Sequence, residues 1–281
     1  MDGGDLQMDL AVLGPLKISL NGTSIVPAAG KLRQLLALLG LRAGQVVPVS
    51  TLMEEVWGAR IPRSAHTTLQ TYILQLRRRI AAALPPQSPL AAKRILLTEY
   101  GSYTLAGPMV NSDLTTFRRL AVEGGRALDA GENARAAEVL ARALDLWRGP
   151  ALADVPTGSV LETEALGIDE IRIHVLEQRI EADLRLGRHT AILGELQMLV
   201  AQYPFHETFS GQLMRALTSA GHTWRALEVY RRFRDTLVAE LGVDPSARLQ
   251  HLHQVILGGS PDGPARTVIS GQAPAVRSSE I

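Results

Sequence analysis

The first hundred or so residues mix two periods of apolar and polar positions, and beyond about Asn111 only the helical one persists. Asp9 to Leu20 alternates on either side of Gly14-Pro15, and Asn21-Gly22, a hairpin-turn dipeptide, precedes Ser24-Ile25-Val26, so short strands are expected here. Leu32 to Leu41 reads as a helix stopped near Gly44. A second helix is expected from Ser50, an N-cap candidate with Glu54 close behind it, to Val56-Trp57 before Gly58. The loop from Gly58 to Pro62 leads to a third helix starting near Ser64. Its Leu69, Ile73, Leu76 and Ile80 fall at i, i+4, i+7 and i+11, one buried stripe, and Pro85-Pro86 ends the pattern. Arg94 to Thr98 and Tyr103 to Leu105 flank Glu99-Tyr100-Gly101-Ser102 as a hairpin.

Strands, three helices and a hairpin are the element order of a winged helix. The remainder reads as helix throughout. Asp113 or Ser112 can cap a helix running to Asp129 before Gly131, and Ala134 to Trp147 forms another before Gly149-Pro150. A long helix is expected over about 159–186, ended by Gly187, with shorter ones near 189–202, 206–220, 223–241 and 246–257. Gly187 and Gly221 are 34 residues apart, the tetratricopeptide period, each at the turn inside a helix pair. Such units bury their apolar faces only against neighbours, which predicts a stacked array. The fold class expected is mainly α with small β elements: a winged helix-turn-helix over 1–110, an all-α tetratricopeptide-like array over 111–257, and a disordered tail over 258–281, rich in Gly, Pro and Ser.

Composition narrows the functions this fold can serve. With 46% hydrophobic and 20% charged residues the chain can build cores, and no run of about 18 apolar residues suggests a membrane span. The first five residues lack a secretory pattern, and cysteine is absent, which removes disulfides, thiolate metal sites and cysteine nucleophiles. A cytoplasmic location, at the nucleoid, is the expectation. The formal charge of +1 conceals a basic first part, with 11 Lys+Arg against 6 Asp+Glu in 1–110, and an acidic second part, with 18 against 22 in 111–281. That asymmetry suits a nucleic-acid binder joined to a region that avoids nucleic acid.

The third helix carries the chemistry for DNA. With Leu69 at zero and about 100 degrees per residue, Ala65, Tyr72, Ile73, Leu76 and Ile80 gather within about 60 degrees. The opposite side presents Arg63, Ser64, Thr67, Gln70, Thr71, Leu74, Gln75 and Arg78. Gln pairs bidentately with adenine and Arg with guanine, each discriminating by about 1–3 kcal/mol, and Leu74 can touch a thymine methyl. Ser64, Thr67 and Thr68 lie at the helix start, where free N–H groups favour a phosphate. Arg77 is a further phosphate candidate. Any surface helix has a polar face, and Arg77-Arg78-Arg79 would also complement a helix C-terminus. Yet no acidic residue occurs between Arg63 and Leu84, whereas a solvated face mixes signs. The hairpin becomes the wing, bringing Lys93, Arg94 and the Tyr100 tip near backbone or minor groove.

At these residues the chain resembles the Streptomyces antibiotic regulatory protein family. The matching stretches are Gln34 to Leu38, Gly44 to Leu52, Glu55 to Gly58, Pro62 to Ala65, and Thr68 to Arg79. In the second half, Ala143 to Gly149, Ala226 to Tyr230 and Glu240 to Pro245 resemble that family's bacterial transcriptional activation domain. The resemblance implies an OmpR-type winged helix followed by a tetratricopeptide-like activation domain. It further implies a pathway-specific activator of secondary-metabolite, usually antibiotic, gene clusters. Such an activator binds direct repeats in double-stranded promoter DNA as side-by-side protomers, a homodimer on DNA. It recruits RNA polymerase through its sigma factor and other subunits. By the same analogy Trp57, Gly58, Ala59, Arg60 and Ile61, the turn before the recognition helix, are candidate polymerase contacts. Glu99 departs from the arginine that related wings often carry, which weakens the case for minor-groove insertion. Larger members add an ATPase and sensor region. This chain ends before one, as in the small form.

Enzyme chemistry finds little support. The seven histidines show no metal spacing, and His251 and His253, two apart, face different sides of a helix. Glu162 and Glu164 likewise point apart. No glycine-rich phosphate loop is present, and no parallel-strand pattern suggests a phosphorylated receiver domain. No cofactor or metal is expected. The competing reading is a helical scaffold that does not bind DNA sequence-specifically, from which the acid-free helix face is the distinguishing feature.

Overall fold

The computed structural model describes residues 7–84, 89–106 and 110–259. They form two compact units, divided between Arg188 and His189. In the first unit, β1 (Met8–Ala11), β2 (Lys17–Leu20) and β3 (Thr23–Ser24) make an antiparallel meander. Alternation places Met8, Leu10, Ile18 and Leu20 in the core. Leu20 pairs with Thr23, leaving Asn21 and Gly22 as a two-residue turn with φ 47° and 80°, the type I′ geometry that matches strand twist.

Next come α1 (Gly30–Leu41), β4 (Val47–Pro48), α2 (Val49–Trp57), α3 (Ala65–Ala82), α4 (Pro89–Ile95), β5 (Leu96–Glu99) and β6 (Ser102–Leu105). β5 and β6 form a hairpin, and β4 adds to it in the order β4-β6-β5. This is a winged helix-turn-helix, as expected, with three local differences. The second helix starts at Val49, so Ser50 lies inside its first turn instead of capping it. Val47-Pro48 is held as a strand against Ser102-Tyr103, and Val49 N–H donates to the Gly101 carbonyl, so the chain passes directly from ladder to helix. Lys93 and Arg94, expected at the wing, belong instead to the short helix α4. β4 is too short to show alternation. The Pro85-Pro86 terminator lies outside the described residues.

The helices that follow are α5 (Asp113–Asp129), α6 (Asn133–Leu144) and α7 (Ser159–Arg185). They are bound into the winged helix by contacts far apart in sequence. β7 (Val110–Ser112) pairs in parallel with β1, extending the sheet to β3-β2-β1-β7. The Asp113 carboxylate, expected as a possible helix cap, accepts hydrogen bonds from Val12 N–H (2.9 Å) and Leu13 N–H (3.1 Å). Asp154 accepts Leu16 N–H at 2.7 Å and pairs with Arg33 at 3.0 Å. Arg148 and Leu152 donate their backbone N–H groups to the Leu13 and Val12 carbonyls. Most telling is Glu55 of α2, only 2% exposed. Its carboxylate accepts Gly158 N–H (2.7 Å) and Leu161 N–H (2.9 Å) at the start of α7, and the Gln34 side-chain amide (2.7 Å). The start of a helix leaves N–H groups unpaired and carries positive dipole charge, so a buried carboxylate there is satisfied on both counts.

The second unit contains α8 (Leu193–Gln202), α9 (Glu207–Ser219), α10 (Thr223–Leu241) and α11 (Ala247–Gly258). α8 begins four residues later than the expected His189. α9 packs between α8 and α10, with Phe209, Leu213, Met214, Leu217 and Phe233 buried. The Ser246 hydroxyl caps α11 by accepting Leu249 N–H and is itself bonded to Glu207. The turns after α5, α7 and α9 share one geometry. Gly131, Gly187 and Gly221 have φ of 77°, 73° and 80°. In each turn the next residue's N–H reaches back five positions, Glu132 to Ala127, Arg188 to Asp183 and His222 to Leu217. These are Schellman closures, which require a left-handed residue that glycine adopts without strain. Of the expected tail, residues 260–281 lie outside the described residues.

Candidate nucleic-acid interface

α2 and α3 with the turn between them form the helix-turn-helix, and α1 packs behind both. Five α3 residues, Ala65, Leu69, Ile73, Leu76 and Ile80, are each 1% exposed, so the buried stripe fixes the rotation of the helix about its axis. The side away from it is open. Arg63, Ser64, Thr67, Gln70, Thr71, Leu74 and Arg78 are exposed, and Thr68 and Gln75 are half-buried at its margins. Leu74 is an apolar side chain left 49% exposed. Ser64 occupies the N-cap position but its hydroxyl makes no capping bond. The helix start is therefore left for an outside acceptor. Thr71 donates its hydroxyl to the Thr67 carbonyl at 3.0 Å, so only its oxygen lone pairs remain to accept. His66 is also exposed in the first turn. The helical wheel put it at the edge of the buried arc, which hid it from the sequence reading.

Arg77, expected at a phosphate, also makes bonds within the protein. Its guanidinium donates twice to the Leu96 carbonyl (3.1 and 2.7 Å) and once to the Thr98 hydroxyl (2.6 Å). It ties the recognition helix to the first wing strand. The fork geometry of guanidinium suits that bridge. Glu99 pairs with Ser102 across the hairpin, leaving Tyr100 and Gly101 as a turn with φ of 44° and 74°. Tyr100 at this tip is fully exposed, and its neighbour Glu99 and, on α4, Lys93 and Arg94 are exposed as well.

In the turn before α3, Gly58, Ala59, Arg60 and Ile61 are exposed, Ile61 by 52%. Trp57 is not free in the same way. Its ring stacks on Tyr72 (centroids 6.3 Å, planes 12° apart) and Lys31 Nζ lies 5.4 Å from its centre. It buttresses α2 against α3. The buried Glu55 escaped the sequence reading, although one signal was present: it lies three residues after Leu52 and beside Val56, an acid on the apolar face of its helix.

Residues 23–101 match the family described as transcriptional regulatory protein, C terminal, and residues 112–257 match the bacterial transcriptional activator domain. The regulatory protein DnrI of Streptomyces peucetius is 51% identical over 254 residues, covering 90% of this chain and 93% of that one. The chain belongs to the Streptomyces antibiotic regulatory protein family. It shares 36% identity over 254 residues with the transcriptional regulator RedD of Streptomyces coelicolor, covering 90% of this chain and 71% of that one. The regulatory protein AfsR of the same organism is 36% identical over 251 residues, but the chain spans only 24% of its length. Among solved structures, Mycobacterium tuberculosis EmbR, in complex with a low-affinity phosphopeptide, superposes with a TM-score of 0.80 at 30% identity. That match covers 90% of this chain and 65% of that one. The matched families make this chain a transcriptional regulator with an activator domain, and a scaffold without DNA binding is not favoured.

Proposed function

We propose that this regulator lays the exposed side of α3 in the major groove of direct-repeat promoter DNA at the nucleoid, two protomers side by side, and recruits RNA polymerase. The observation that carries this reading is the open, acid-free face of α3, clamped by its buried stripe on one side and by Arg77 to the wing on another. Gln70, Gln75 and Arg78 read bases; Arg63, Ser64, Thr67, Thr68 and the oxygen of Thr71 contact backbone; Leu74 meets a thymine methyl. Lys93, Arg94 and Tyr100 flank the groove, and the neighbouring Glu99 keeps the tip out of the minor groove by repulsion from phosphate. The turn Gly58 to Ile61 is the polymerase contact, with the sigma factor among the subunits touched, and Trp57 supports it from behind.

Quantitative footprinting and gel shifts on cluster promoters test this. Gln75→Ala and Arg78→Ala should relax base preference, each by about 1–3 kcal/mol at its position. Arg63→Ala should weaken binding to every sequence and lower the salt slope by about one. Ile61→Ala should leave the footprint intact and reduce transcription from the same template. Unaltered selectivity in both the Gln75 and Arg78 variants would remove the groove assignment.

A further inference from the structure

The second unit has an open groove that none of its own helices fills. α9 provides the floor through Leu213 and Leu217, α8 one wall through Val200, and α10 the other. The space amounts to about 480 Å³. On the α10 wall the lining side chains run from Trp224 to Thr236, a length of about 18 Å at 1.5 Å per residue. An aperture that long and that open suits an elongated occupant better than a compact small molecule, which a pocket normally encloses on most sides. Trp224 stands at one end, 70% exposed, a large apolar ring with an N–H donor.

The groove also carries charge in a defined register. Arg225 and Arg232 line it seven residues apart, two turns along one face of α10. Arg225 makes no side-chain hydrogen bond or ion pair among the described residues. Arg232 holds Glu228 through Nε at 2.9 Å, which leaves the outer nitrogens of its fork facing outward. Glu228, the one acid in the lining, is shared between Arg232 and Arg231 and is therefore neutralised.

We propose that this groove is a docking site for an amphipathic helix of a partner protein, about three turns long. Its apolar side chains enter over Leu213, Leu217 and Val229, and acidic residues two turns apart meet Arg225 and Arg232. The two-turn spacing of the arginines is matched by an i, i+7 pair of Asp or Glu on the partner helix, and Trp224 closes over its end. This site is separate from the DNA-reading face and from the turn assigned to polymerase, and does not depend on either assignment.

The test uses the full chain and defined peptides. A displayed library of helix-forming dodecapeptides is selected on the protein, with counter-selection on the double variant Trp224→Ala, Arg225→Glu. Trp224 is largely solvent-exposed and Arg225 makes no side-chain bond among the described residues, so both variants should keep their circular dichroism and melting transition. The expected outcome is enrichment of apolar i, i+3/i+4 positions with acidic residues at i, i+7. By fluorescence anisotropy the selected peptides should bind at least tenfold more weakly to either single variant. Lysine exchanged for the peptide acids should restore binding to Arg225→Glu, Arg232→Glu. Promoter footprints should stay unchanged in all of these variants. Enrichment of basic or patternless peptides, equal binding to the variants, or displacement only by small aromatic anions would overturn the proposal.

Discussion

The two compact units of this regulator are stabilised in different ways. In the first, side chains and strands separated by about a hundred residues hold each other: Asp113 bonds Val12 and Leu13, Asp154 bonds Leu16, and Glu55 bonds Gly158 and Leu161. In the second, each helix packs on its sequence neighbour and the turns close themselves through glycine and a local hydroxyl cap. The family boundary near residue 111 is therefore not a packing boundary. The winged helix and α5–α7 share one core, and the break in packing comes 77 residues later, between Arg188 and His189. A DNA reader fused in this way to helices of the activator region gives those helices a fixed bearing on the operator.

The sharpest test of this contrast is truncation. A fragment of residues 1–110 loses most of β7, the helices α5 to α7 and the segment between α6 and α7, whose groups meet Glu55, Asp9–Leu20 and Arg33. Those bonds are lost together and the apolar face that the winged helix shares with α5–α7 is laid open to water. Calorimetry should show no cooperative transition for 1–110, whereas 1–188 should melt cooperatively and retain DNA binding. A well-folded 1–110 would mean the long-range bonds are incidental. Next in size is Glu55→Ala, which strands the first N–H groups of α7 and the Gln34 amide. It should destabilise the first unit by about 3 kcal/mol in denaturant titrations and leave the second unit unaltered. Both transitions shifting together would contradict the division.

Arg77→Ala should cost about 1.5 kcal/mol, because bonds from a charged donor to Leu96 and Thr98 disappear. If Arg77 joins helix to wing and does not touch phosphate, the variant's DNA affinity falls without change in the salt slope, and a slope reduced by one would restore the phosphate role. Gly221→Ala should weaken only the second unit, by about 1 kcal/mol, through left-handed strain. The smallest effect concerns pH. His253 is stacked on Tyr230 (centroids 3.9 Å), and burial first, then the Arg231 charge, hold its pKa below the ordinary 6.5. The neutral ring is the form the fold favours. Its contribution is therefore present above about pH 6.5 and lost as pH falls through the lower folded value. Between pH 7 and 5 the second unit should lose slightly more stability in the native protein than in His253→Gln.

Legibility in the sequence follows the same contrast. α10 was expected over Thr223–Leu241 and lies there, because its left-handed Gly242 stop and its 3.6-residue stripe are local properties of that segment. The α3 stripe and its acid-free opposite side were equally readable, and so was the Asn21-Gly22 turn. Ser50 failed as a cap because a two-residue strand outranked it, and a strand of that length has no period to detect. Lys93 and Arg94 sit at the end of a seven-residue helix, too short for its period to stand out in the sequence. The Arg77 bonds to Leu96 and Thr98 were not legible, because they depend on where β5 lies.

Taken alone, the order of residues determined which segments coil, which turn, and which face of the third helix is left without acid, since each depends on neighbours within a few positions. Folding in three dimensions decided where the first core ends, that a carboxylate from the helix-turn-helix caps a helix a hundred residues on, and that a groove stays open along α10. Those outcomes depend on pairs of groups whose separation along the chain carries no periodic signal, and whose bonds are strong only once water has been excluded from between them.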